Sequence, residues 1–72
     1  MATSLELAER LLRRFKGVPN FDFTDAQELV DESLRYHGLD PSADVPSDKE
    51  KLVLLYAQIQ GAWQVAFSVA HY

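Results

Sequence analysis

At 72 residues without a cysteine, the chain has room for one domain and excludes disulfide frameworks, thiolate metal sites and thiol chemistry. A domain this small buries only about 60% of its unfolded surface, which leaves it marginal alone and makes a partner chain useful. The net charge of −4 hides unlike parts, +2 over residues 1–19, −7 over 20–48 and +1 over 49–72, a balance that does not point to nucleic acid.

The start, Met1 to Glu6, lacks the basic residues and apolar run of a secretory signal, so export by that route is not expected. A capping box, in which a side-chain oxygen accepts from an early helical amide while Glu or Gln reaches back, occurs three times: Thr3 with Glu6, Thr24 with Gln27, and Ser47 with Glu50. The first predicts a helix over 4–16, closed by Gly17 and Pro19. Its apolar stripe is Leu5, Ala8, Leu12 and Phe15, widened by Leu7 and Leu11. Glu6 and Glu9 precede Arg10, Arg13, Arg14 and Lys16, an order that complements the helix dipole.

The second helix is expected over 25–37, with Ala26, Leu29, Val30, Ser33, Leu34 and His37 on one face. Asp25, Glu28, Asp31 and Glu32 make the other face acidic. Gly38 is placed to end it, with Leu39 folding back on the last turn. Residues 39–47, with two prolines, read as an ordered connector.

The third helix is expected over 48–72, roughly 37 Å at 1.5 Å per residue and longer than a three-helix domain of this size needs. Its last 21 positions, Leu52 to Tyr72, carry no charge. Gln58, Gln60, Gln64, Ser68 and His71 interrupt the apolar run, and flanking aromatic belts and loop charges are missing, which argues against a membrane span. On a wheel, Leu52, Leu55, Ile59, Ala62, Trp63, Ala66, Val69 and Ala70 form one broad stripe, expected to be the core side. Leu54, Val65 and Tyr72 form a second flank, expected to meet a neighbour. Gly61 costs about 1 kcal/mol inside a helix, which suggests close packing there.

No pattern supports catalysis, a metal or a cofactor. His37 reads as a helix-end residue, and His71 with Ser68 lacks a third triad member. A calcium loop starting at Asn20 fails at Asp25, where glycine is needed, and at Asp31, where glutamate is needed. Gly17, Gly38 and Gly61 are isolated and form no phosphate loop. Arg10, Arg13 and Arg14 share a flank that suits phosphate, or else complements the helix dipole and pairs with the acidic middle segment of this chain or of a neighbouring copy, as with Asp31 and Glu32 in a head-to-tail contact.

Val45-Pro46, the run from Lys51 to Ala57, Gly61 to Trp63 and Ala70 to Tyr72, preceded by the acidic stretch from Asp22 to Glu32, resemble the small helical head-tail connector proteins of tailed double-stranded DNA bacteriophages. The resemblance spans residues 5–72 and rests on apolar and small residues without a chemical motif. It implies a non-enzymatic subunit that forms a ring at the portal neck, as a homo-oligomer contacting portal and tail components, in the host cytoplasm and then the virion. By position it implies core roles for Leu52, Leu55, Ile59 and Trp63, and subunit contacts for Tyr56, Gln60, Gln64 and Phe67. Such proteins usually continue past the long helix, whereas this sequence stops at Tyr72 without a cap, leaving truncation open.

The combined expectation is an all-α domain, two shorter helices on one long C-terminal helix, with Leu12, Phe15, Leu29, Val30, Leu34, Leu52, Leu55, Ile59 and Trp63 as its core. The alternative function is a regulatory module that binds nucleic acid through the basic first helix, without sequence-specific recognition being expected of the connector itself.

Overall fold

In the computed structural model, residues 2–18 and 21–70 are described, with side chains described as far as Phe67. Expectations placed on Pro19, Asn20, His71, Tyr72 and the side chains of Ser68, Val69 and Ala70 lie outside that set. The architecture is all-α, in the order α1 (Ser4–Arg14), α2 (Phe23–Tyr36) and α3 (Ser47–Ala70). The molecule measures 39 × 20 × 17 Å, and its long dimension is close to the length of α3, roughly 36 Å at 1.5 Å per residue.

Helix α1 starts with the expected box: the Glu6 amide donates to Thr3 Oγ1 at 3.2 Å, and the Thr3 amide to Glu6 Oε1 at 3.5 Å. Leu7, Ala8 and Leu11 face inward and are fully buried, while Leu12 and Phe15 are half-buried at the core's edge and Leu5 is exposed. The stripe expected through Leu5 and Leu12 is thus turned toward Leu7 and Leu11, because α1 is clamped by α2 on one side and α3 on the other. Helix α1 ends at Arg14 with Phe15 as its cap, two residues short of the expected Lys16, and Gly17 lies in the turn beyond at φ +90°, where a side chain would strain the backbone.

The cap of α2 differs from the expected one. Asp22, with extended backbone, accepts the Asp25 amide at 3.1 Å, and Asp25 accepts the Asp22 amide at 3.3 Å. Starting the helix here rather than at Thr24 places Phe23 in the first turn, where it packs against the core. Gln27 is released from capping and donates to Ser4 Oγ at 3.3 Å and Asp31 Oδ1 at 3.1 Å.

The end of α2 is a Schellman motif. The Leu39 amide donates to the Leu34 carbonyl at 2.8 Å and the Gly38 amide to Arg35 at 3.0 Å, with Gly38 at φ +74° and Leu39 packed on the core. Beyond it, Asp40 Oδ1 accepts from both the amide and the hydroxyl of Ser42, which lowers the Asp40 pKa below its ordinary 3.8, the amide bond contributing most. The group's folded value is depressed, so the turn's support from this carboxylate is present above the ordinary value and fades as pH falls through the lowered one.

The connector also holds Ala2, ahead of the α1 cap. Ala2 and Val45 form an antiparallel bridge, with the Val45 amide donating to Ala2 O at 2.7 Å and the Ala2 amide to Val45 O at 3.3 Å. Both side chains are buried, so the segment before the Thr3 cap is tied beneath the chain that leads into α3.

The long helix packs by the opposite face from the one expected. Val53, Leu54, Ala57 and Gly61 are buried against α1 and α2, whereas Leu52, Leu55, Ile59 and Trp63, expected in the core, are exposed. Small residues explain the choice. Ala57 and Gly61 let neighbouring elements approach closely: a Cβ on Gly61 would lie 2.9 Å from the Phe15 ring and 3.1 Å from Leu29 Cδ1. The close approach suspected at Gly61 is therefore made by the chain's own Phe15 and Leu29.

At the crossing of α2 and α3, fully buried Ser33 donates to the Val53 carbonyl at 2.8 Å. The small hydroxyl residue both fits this approach and satisfies its own polar atom. Ser33→Ala is expected to lower stability by about 1 kcal/mol, the usual net value of one hydrogen bond. Urea unfolding at constant m-value is the check.

Candidate interaction surface

Three further side-chain contacts tie α3 to the other two helices. Arg10 donates to Glu50 Oε1 at 3.0 Å and Arg14 to Gln58 Oε1 at 2.6 Å, both from α1 to α3. From α2, Tyr36 stacks on Tyr56 with ring centroids 4.4 Å apart and an interplanar angle of 17°. His37 meets both tyrosines edge-on, at 5.2 and 5.5 Å. Its Nδ1 lies 2.8 Å from the Ser33 carbonyl, and since a carbonyl only accepts, the ring carries its proton on Nδ1. This keeps His37 in its expected place at the helix end.

With α3 held so, its outer side is apolar. Leu52, Leu55, Ile59 and Trp63 retain 48, 43, 55 and 71% of their exposure, with Ala62 and Ala66 open between them. Ile59, Ala62, Trp63 and Ala66 line an open groove of about 330 Å³. Scattered exposed apolar residues are ordinary, whereas these form a contiguous strip along one helix. The positions 52, 55, 59, 62 and 66 alternate steps of three and four, the spacing of a helix-pairing seam.

The other candidate contacts are dispersed. Tyr56 is half-buried in its stack and Gln60 is half-buried beside it, while Gln64 and Phe67 are exposed farther along α3. Asp31 is half-buried and engaged by Gln27; Glu32 is exposed on α2. Arg13 bonds back to the Glu9 carbonyl at 3.4 Å, so the three arginines form no common outward cluster: Arg10 and Arg14 lean on α3 and Arg13 on its own helix. Exposed ion pairs contribute at most about 1 kcal/mol, so the value of Arg10 lies more in orienting α3 than in strength.

Among the described residues no group of three or more His, Cys, Asp or Glu is placed to hold a metal ion, and no helix is long and apolar enough to cross a membrane. What the arrangement offers chemically is an uncharged apolar ridge with a tryptophan on its flank. The 3-4 spacing of Leu52 to Ala66 was the sequence signal for it, obscured because Val53, Leu54, Ala57 and Gly61 make a second stripe on the same helix. No protein-family model, curated protein or solved structure matches the chain.

Proposed function

We propose that this chain is a non-enzymatic assembly subunit, a head-tail connector of a tailed bacteriophage that works by docking the outer face of α3 against other protein chains. The observation that carries the reading is the uncharged ridge of Leu52, Leu55, Ile59 and Trp63, displayed on a helix whose opposite side is already filled by its own domain. Burying such surface contributes about 25 cal/mol per Å² before association costs are deducted. In this reading the chain assembles in the host cytoplasm and remains in the virion as a homo-oligomer beside portal and tail components.

The test is copurification with the portal and tail proteins encoded near it, comparing the native sequence with Ile59→Glu/Trp63→Glu. Both positions are exposed, so the variant is expected to keep its helical circular dichroism. Retention of partners by the native chain and their loss in the variant supports the reading. Failure of the native chain to retain any virion component would overturn it.

A further inference from the structure

We infer that the outer face of α3 pairs with the same face of a second copy, antiparallel, with Ile59 over the second copy's Ala62 and Leu55 over its Ala66. The inference rests on the docking role of this face and names its occupant.

Size complementarity is the main argument. In an antiparallel seam, a position opening a three-residue step in one helix meets a position closing one in the other. Centred between Gln60 and Gly61, that rule places Ile59 against Ala62 and Leu55 against Ala66, large against small and twice over by symmetry, with Leu52 at the end of the seam opposite position 69, a valine. Large against small is what lets facing layers interdigitate without voids. A parallel pair would stack Leu55 on Leu55 and Ile59 on Ile59, then leave alanine facing alanine at 62 and 66, a seam too wide at one end and empty at the other.

Area and charge agree. Leu52, Leu55, Ile59 and Trp63 are 48, 43, 55 and 71% exposed, and with Ala62 and Ala66 the apolar area that two copies could cover is on the order of 1,000 Å², the lower limit for a specific interface. The seam from Leu52 onward carries no charge to desolvate. Because α1 and α2 lie on the other side of α3, they stay clear of the pairing, and antiparallel helices oppose their dipoles favourably. The pairing is isologous and closes at two copies, which leaves the acidic face of α2 for separate contacts.

The cysteine-free sequence permits a direct test. Leu55→Cys and Ala66→Cys, both at exposed positions, are prepared separately as full chains and oxidised alone and as a mixture. A disulfide needs Cα atoms within about 7 Å. The expected result is crosslinking in the mixture, between Cys at 55 and Cys at 66, and little in either alone, with the native chain sedimenting as a concentration-dependent dimer. Self-crosslinking of each variant alone would show parallel pairing and overturn the inference, as would a native chain that stays monomeric up to about 1 mM. A monomer whose Ile59→Glu/Trp63→Glu variant still loses portal or tail proteins removes the second copy as occupant while leaving the assembly role intact.

Discussion

Leu54→Ala is expected to cost about 2–5 kcal/mol, whereas Leu55→Ala, one residue along the same helix, should cost well under 1 kcal/mol in dilute protein. Leu54 is 4% exposed and packed against the other helices; Leu55 is 43% exposed on the outer ridge. At roughly 0.05–0.15 kcal/mol per residue a domain of this length has only about 4–11 kcal/mol in total, so the first substitution removes a large share of it. Urea titrations below the concentration at which copies pair would show a displaced midpoint for Leu54→Ala and an almost unmoved one for Leu55→Ala. Near-equal losses would mean that α3 is rotated from the arrangement described.

Gly61→Val carries the second large effect. In an exposed helix, replacing glycine by a residue with a side chain usually stabilises, by about 1 kcal/mol for alanine. Here the first added carbon already meets Phe15 at 2.9 and 3.0 Å and Leu29 at 3.1 Å, so alanine is expected to gain little net and the branched valine to lose about 1–3 kcal/mol through overpacking. Phe15 is half-buried and presents the far end of its ring, so it can yield partly. The check is a double-mutant cycle with Phe15→Ala, which should lower the cost of valine because the two sites are coupled. An equal cost in both backgrounds would place the constraint elsewhere.

How much of this was legible beforehand differs by element. The three helices, their order and the stop at Gly38 follow from local chemistry: the capping box at Thr3, a 3.6-residue period and a glycine at positive φ. Leu29, Val30 and Leu34 were readable as core because α2 has an acidic face that leaves one inward choice. The Asp22 cap was harder to see, since Thr24 with Gln27 satisfies the same pattern two residues later. Only the packing of Phe23 decides between them.

The rotation of α3 was not legible, for a physical reason. Its uncharged stretch is apolar on two sides, and a wheel ranks the Leu52, Leu55, Ile59, Trp63 side higher by sheer hydrophobicity. Bulk is not what selects the packed face. Close approach through Ala57 and Gly61, the Ser33 bond to Val53 and the Tyr36–Tyr56 stack select it, and each depends on residues far apart in sequence. The wheel did show two apolar flanks, one more than a small domain can cover. Only the assignment of inside and outside required the tertiary structure, and the ridge proposed for docking follows from that assignment.

Trp63 is the chain's single tryptophan, and acrylamide quenching of its fluorescence across a protein dilution series is the most direct measurement of which side of α3 faces out. At the lowest concentrations the indole, 71% exposed, should be quenched almost as readily as in urea, with protection appearing only as copies associate. An indole already shielded in dilute, folded, monomeric protein would place Trp63 inside its own domain and contradict the outward ridge.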